Sequence, residues 1–411
     1  MNNTTDKSFS RYALANTVRL AAIAATCLTM SALALPKPPI APPNEIIFNI
    51  DSIDTTASSD SSDSTQSNFV SVCVGDVNLD HVVDSADLGS VLSFYGPCQS
   101  GALGDFNFDA VIDSSDLGTV LGNYGPCTAG LEWATVLQWN PDPAVVPDAA
   151  VRAKIVASGF PWSVRDTGTG IEMLLIPAGT FNMGCSASNS YGCYDDDTNH
   201  QVTLSNAFYL GKTEVTQAQW LATMGTNPSQ FQPPDHGLDI NRPVSEVTWN
   251  NIATDTSTYQ CFNSKTGLRL ATEAEWEYAC RGGTTTAFHS MPGYPNGTND
   301  DNQLGKIAWN YNNSGSITHA VAGKAANAFG LYDMLGNAWE WCNDWSGSYA
   351  AGNATDPAGP ATGSNRVIRG GACGGNYYTR LGCRSSYRYG SFPDDRFLGA
   401  VGFRAAKTPL P

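Results

Sequence analysis

The chain has 411 residues, 42% of them hydrophobic, with 22 Lys and Arg set against 38 Asp and Glu for a net charge of -16. Its 10 Trp, 16 Tyr and 16 Phe are ample for packed cores, which excludes a wholly disordered protein, and the length suits about two or three domains. Residues 38 to 151 hold 16 Asp and Glu and no Lys or Arg; a region of that charge repels phosphate backbones, argues against a nucleic-acid partner and favours a cation.

Lys7, Arg11 and Arg19 flank the apolar, small-residue run LAAIAATCLTMSALA at residues 20 to 34. A basic start, an apolar centre and Ala32-Leu33-Ala34 before Pro36 form a signal-peptide pattern over residues 1–34, with cleavage after Ala34. A run of about 15 apolar residues is short for a membrane span. The expectation is export to the periplasm, cell surface or medium, with no membrane span in the mature chain. Beyond Cys27 ten cysteines remain, an even number that in an exported chain argues for disulfides, and their spacing lacks the paired C-x-x-C of a structural zinc site. Residues 35–70 run from PKPPIAPP into TTASSDSSDSTQS, the composition of a disordered linker.

Residues 71–127 contain a duplication, GDVNLDHVVDSADLGSVLSFYGPC and GDFNFDAVIDSSDLGTVLGNYGPC, offset by 29 residues. Such a repeat is a duplicated supersecondary unit. Asp76, Asn78, Asp80, Asp84 and Asp87 fall at positions 1, 3, 5, 9 and 12 of a twelve-residue loop, as do Asp105, Asn107, Asp109, Asp113 and Asp116 in the second copy. Val82 and Val111 stand at position 7, where a backbone carbonyl serves as ligand. This is EF-hand-like spacing for calcium, a hard cation that takes six to eight oxygens. Asp at position 12, and His81 or Ala110 where a Gly normally makes the sharp turn, weaken the affinity. The continuations Leu88-Gly89-Ser90-Val91-Leu92 and Leu117-Gly118-Thr119-Val120-Leu121 resemble the type I dockerin repeat, one calcium loop before one helix. That resemblance implies a small helical calcium-loop module docking on a cohesin-like partner through Ser85, Ala86, Ser114 and Ser115. A calcium-stabilised spacer is an equal alternative.

Residues 128–164 read as a connector with one helix around Pro147 to Ser158, its N-terminus favoured by Asp148. From Ile171 the sequence IEMLLIPAGTFNMG is strand-like. Further on, RLATEAEWEYACR (269–281) reads as a helix with Thr272 as N-cap, Glu275 at capping-box distance, and Trp276 and Ala279 facing inward. Glu273 and Glu275 take capping or surface roles in this expectation. NAFGLYDMLGNAWEWCNDW (327–345) gathers Gly and Trp around Asp333 and Glu340, and RVIRGG (366–371) reads as a core strand entering a tight turn. CRSSYR (383–388) and VGFRAA (401–406) add Arg and aromatic positions.

With GTFNMG (179–184), KTEVTQAQW (212–220) and RPVSEVTW (242–249), these blocks, in this order, resemble the formylglycine-generating enzyme or sulfatase-modifying factor family over residues 165–407. The resemblance implies an α+β, C-type-lectin-like domain with little regular secondary structure. It also implies a structural calcium held by the side chains of Asp333 and Glu340 and the carbonyls of Gly336 and Ala338, a donor set suited to a hard cation. The segment WNYNNSGSITHAV (309–321) does not match the family's other calcium site.

The family's oxidase converts a sulfatase cysteine to formylglycine with two cysteines, five residues apart, that hold cuprous copper as soft thiolates. In this chain those positions are Gly375 and Arg380. Cys373 and Cys383, ten apart, are the alternative pair. The resemblance implies a Cys280–Cys383 disulfide instead, which leaves Cys373 without a copper partner, while Cys185 and Cys193 are near enough in sequence to pair locally. The five histidines show no H-E-x-x-H, and neither G-x-S-x-G nor a P-loop is present. A glycosidase carboxylate pair stays open. The expectation is an exported calcium-binding protein whose domain lacks the copper pair and serves as a binding or display scaffold, its partner a cohesin-like or other exported protein and its ligand a carbohydrate or peptide. The alternative is an active oxidase that carries copper.

Overall fold

The computed structural model describes residues 82–83, 85–93, 96–97, 111–112, 114–117, 125–126 and 131–409, the last span without 186–197, 232–238, 257–258, 375–381 and 397–399. The expected signal peptide and linker lie outside the described residues, as do the loop residues Asp76, Asn78, Asp80, Asp84, Asp105, Asn107, Asp109 and Asp113.

The duplicated segment supplies β1 (Val82–Val83), α1 (Ser85–Ser93), β2 (Gly96–Pro97), β3 (Val111–Ile112) and β4 (Gly125–Pro126). Strand β1 pairs antiparallel with β4, and β2 with β3. Val82 thus lies opposite Pro126 and Val111 opposite Pro97, so each copy's loop meets the Gly-Pro of the other. Residues 114–117 are helical. Asp87 and Asp116, at the same place in the two copies, are both fully buried.

Residues 128–164 do more than connect. Asp148 caps α2 (Ala149–Ala157), accepting from the Ala150 and Val151 amides, within the helix expected there. On either side of it, β5 (Ala134–Gln138) and β6 (Ser163–Asp166) pair with each other and form one edge of a six-stranded sheet ordered β11-β17-β10-β7-β6-β5. Its remaining strands are β7 (Glu172–Ile176), β10 (Phe208–Gly211), β11 (Arg269–Leu270) and β17 (Ala405–Lys407), all antiparallel. Met173 to Ile176 and all of β10 are buried. Uninterrupted burial, in place of the alternation of a half-exposed strand, marks a sheet covered on both faces.

Two smaller sheets complete the domain. One runs β13-β9-β8, from β8 (Gly179–Met183), β9 (His200–Leu204) and β13 (Ala354–Thr355), with β13 parallel to β9. The other runs β15-β14-β12-β16, from β12 (Trp339–Trp345), β14 (Arg366–Arg369), β15 (Arg388–Ser391) and β16 (Val401–Gly402), with β16 parallel to β12. The helices are short: α3 (Gln217–Met224), α4 (Trp249–Ala253), α5 (Phe262–Thr266) and α6 (Glu273–Arg281). Thr216, Thr248 and Thr272 each close a capping box, with Gln219, Asn251 and Glu275, satisfying amides that a helix of two or three turns cannot pair internally.

Helix α6 packs against β8, β9, β12 and β14. Eight of its nine residues are buried, Glu275 being the exception. The expected surface or capping role therefore holds for Glu275 alone, because Glu273 lies inside, 3% exposed. The mixed sheets and short helices make an α+β domain. Among the described residues no helix is long and apolar enough to cross a membrane.

Candidate functional site

Strand β14 delivers the chain into Gly370 and Gly371, with φ of 92° and 77°. A Cβ on Gly371 would lie 2.6 Å from Cys383 Sγ and 2.8 Å from its amide N, so only glycine lets the two segments close on each other. The Gly370 carbonyl accepts from the Gly336 amide at 2.7 Å, the Asn337 carbonyl from the Cys373 amide at 3.0 Å, and the Trp309 carbonyl from the Asn337 amide at 2.7 Å. These bonds tie the Gly-Gly turn, the Asp333–Glu340 block and the Trp309 loop into one unit. Trp309 stacks on His319 with 3.8 Å between centroids, and Lys324 Nζ stands 3.8 Å over the Trp309 ring, a cation–π contact.

The positions that the resemblance assigns to copper hold no cysteine. Gly375 and Arg380 offer no thiolate, and both lie outside the described residues. Cys373 and Cys383 are fully buried. Burial pushes the Cys373 thiol up to about 12, its backbone hydrogen bond opposing, with Glu214 raising it further and Arg242 lowering it. Cys280 is a free thiol, which corrects the expected Cys280–Cys383 disulfide. It bonds instead to the Ser385 side chain, and burial pushes it up to about 12. Cys185 is disulfide-bonded; Cys193 lies outside the described residues.

The Asp333–Glu340 block is built around buried carboxylates. Glu340 Oε2 accepts from Trp276 Nε1 and from Arg404 Nε, each at 2.7 Å, and Oε1 accepts from a terminal nitrogen of Arg404 at 2.7 Å. The same guanidinium donates to the carbonyls of Gly211 and Tyr332, which fixes its plane. Asp333, at φ 54°, accepts from the Ala322 amide through Oδ2 at 2.6 Å, whereas its buried Oδ1 has no partner. Burial, opposed by the Ala322 bond and Arg404, pushes Asp333 up to about 6. Glu214 is 1% exposed and neither carboxyl oxygen has a partner. Burial, then the charges of Asp333 and Glu340, push it well above the usual carboxylate range. Gly336 and Ala338 sit on the same turn, with Gly336 at φ 83°. Among the described residues no three His, Cys, Asp or Glu side chains converge into a metal-holding group.

A second buried network surrounds Glu273 and Glu277 of α6. Glu277 accepts from Arg281 at 2.7 Å, from Arg369, and from the Gly184 amide at 2.8 Å. Glu273 pairs with Arg388 at 2.6 Å and Arg369 at 3.3 Å. Beside it a cavity of about 280 Å³ is lined by Met183, His200, Asp344, Tyr349, Pro357 and Pro360, with Glu273 and Arg388. Sequence reasoning missed these ion pairs. The four-residue spacing of Glu277 and Arg281 was a readable signal, but Arg369, Arg388 and Arg404 reach their partners only through the fold.

An α+β domain of mixed sheets with a buried carboxylate block and a Gly-Gly turn is the class of protein that these features define. The family described as "Sulfatase-modifying factor enzyme 1-like domain" matches residues 162–409, and the chain belongs to that family. It is 36% identical over 297 residues to a formylglycine-generating enzyme of Streptomyces coelicolor, covering 56% of this chain and 87% of that protein. It is 32% identical over 216 residues to the mouse formylglycine-generating enzyme, covering 49% of this chain and 55% of that one. The chain spans about half the length of the mouse and cattle relatives. Among solved structures, Treponema denticola variable protein 1 aligns with a TM-score of 0.48 at 33% identity, over 58% of this chain and 95% of its own.

Proposed function

We propose that this is an exported, calcium-dependent protein whose sulfatase-modifying factor domain, a C-type-lectin-like scaffold, binds or displays rather than oxidises. The observation that carries this reading is the thiol inventory around the Gly-Gly turn: Gly375 and Arg380 at the copper positions, and a Cys373 that is fully buried. A site without a thiolate pair gives cuprous copper no soft donors. Ligand binding, to a carbohydrate or peptide, is then the domain's remaining use.

The duplicated module binds calcium in this proposal, through Asp76, Asn78, Asp80, Val82, Asp84 and Asp87 and through Asp105, Asn107, Asp109, Val111, Asp113 and Asp116. The reciprocal pairing of the two copies and the burial of both position-12 aspartates support it. A cohesin-like or other exported protein is its partner, and the basic, then apolar N-terminus supports export. Within the domain, calcium at the Asp333 block is supported by the unpartnered Asp333 Oδ1 and by the carbonyls of Gly336 and Ala338 on the same turn. Glu340 already spends both oxygens on Arg404 and Trp276.

The test is cuprous copper binding by competition with a chromophoric chelator. The expected result is no stoichiometric site that outcompetes the chelator. A tight site lost in both Cys373→Ser and Cys383→Ser would overturn the proposal in favour of the oxidase.

A further inference from the structure

Glu214 is the most anomalous side chain among the described residues. A carboxyl group taken out of water without a hydrogen bond costs several kcal/mol, and more if ionised, yet both of its oxygens are buried and unpartnered. Its neighbours do not neutralise it. The charges that act on it are Asp333 and Glu340, with Arg404 the single opposing cation, and both donating edges of Arg404 are already committed to Glu340 and to the carbonyls of Gly211 and Tyr332. Lys324, the other cation acting on Asp333, stands over Trp309 and donates to the Gly305 carbonyl. Asp333 Oδ1 is likewise buried and unpartnered. Only the Glu214 backbone amide stands near enough to act on its carboxyl as a donor, and the Tyr332 amide, donating to the Lys212 carbonyl at 2.9 Å, brings the two segments together, so three carboxyl oxygens of two residues lie in one buried region without a donor from another residue.

From this we infer that Glu214 is the second side-chain carboxylate of the domain's cation site: Glu214 and Asp333 together hold a hard divalent cation, with backbone carbonyls and water completing the shell, while Glu340 positions Arg404 and does not ligate. Oxygen-only donors of this kind suit calcium rather than a softer metal. Two carboxylates plus carbonyls also agree with the lack of any three-side-chain cluster. The placement of Glu214 follows from the fold: the Val215 amide donates to the Phe403 carbonyl and the Val215 carbonyl accepts from the Val244 amide, so the segment is clamped on both sides and its side chain is held inside. The inference rests on the proposal that the Asp333 block binds a cation, and its test separates the two.

The test is terbium luminescence in the full chain, sensitised by tryptophan and displaced by calcium. Residues 71–127 contain no Trp, whereas Trp276 bonds to Glu340 and the Trp309 carbonyl holds the Asn337 amide, so tryptophan excitation selects the domain site over the repeats. The native chain should give a saturable signal that calcium displaces, and the double variant Asp87→Asn/Asp116→Asn should keep it. Glu214→Gln, which keeps shape and removes charge, should weaken half-saturation by roughly ten-fold or more, and Asp333→Asn likewise. Near-ultraviolet circular dichroism of each variant in high calcium confirms that it is folded. A native chain with no displaceable signal would overturn the cation site itself. A native signal that Glu214→Gln leaves unchanged would overturn the role of Glu214 alone, making it a protonated buried acid.

Discussion

Asp344 offers a prediction whose size follows from its surroundings. It lies in β12, 3% exposed, with Oδ2 accepting from the Glu273 amide at 2.8 Å. Burial, reinforced by the Glu273 charge, pushes its carboxyl from 3.8 up to about 7, while the Glu273 amide and Arg388 pull the other way. Between these values the folded chain holds a proton that the unfolded chain has released, so stability falls as pH rises through the window and levels off above about 7. The whole window is worth roughly 4 kcal/mol, and the part from about pH 5 to 7 roughly 3 kcal/mol, at about 1.4 kcal/mol per pH unit. Asp344→Asn keeps an oxygen for the Glu273 amide and cannot titrate. Relative to the native chain it should therefore gain roughly 2–3 kcal/mol between about pH 5 and pH 8. Urea unfolding of both proteins at the two pH values, in saturating calcium, measures this difference, and any fixed effect of the substitution cancels. A stability difference that is the same at both pH values would refute the reasoning.

Glu277→Gln should cost about 3–5 kcal/mol in the same assay, because it leaves Arg281 and Arg369 buried without their shared carboxylate. Arg281 and Arg369 hold the native Glu277 carboxyl below its ordinary value despite burial, so this contribution is present above about pH 4.5 and is lost as pH falls through the lowered folded value. Gly336→Ala should cost at least about 2 kcal/mol, since φ is 83° and a Cβ would lie 2.4 Å from the Trp309 carbonyl oxygen; a melting temperature within experimental error of the native one would contradict this. In the repeats, Asp87→Asn/Asp116→Asn should remove the calcium-dependent gain in far-ultraviolet helical signal, measured as a difference between calcium and chelator. An unchanged difference would place that gain elsewhere.

The sequence made the domain legible where signals are local. Thr272 and Glu275 announce the capping box of α6, Asp148 the start of α2, and Gly370-Gly371 the turn after β14, because each depends on residues within a few positions. The burial of α6 was not legible. Glu273 and Glu275 read as capping or surface residues, and only the arrival of Arg369 and Arg388 from distant strands makes an interior Glu273 and Glu277 tolerable. Residues 134–138 and 163–166 escaped for a related reason: short strands of mixed polarity carry little periodicity, and their pairing partners fix them. The disulfide assigned to Cys280 failed because pairing depends on approach in space, and Cys280 meets the Ser385 side chain. In the Asp333–Glu340 block, Asp333 was readable from the motif, but the unpartnered state of Glu214 depends on what the fold fails to bring near it.

Whether the domain oxidises thiols is read from a peptide carrying Cys-x-Pro-x-Arg. Mass spectrometry after incubation with the copper-treated, calcium-loaded chain should find the cysteine intact, while an active formylglycine-generating enzyme converts the same peptide alongside. Conversion to the aldehyde by the native chain, lost in Cys373→Ser or Cys383→Ser, would contradict the scaffold function and make those two cysteines the copper pair.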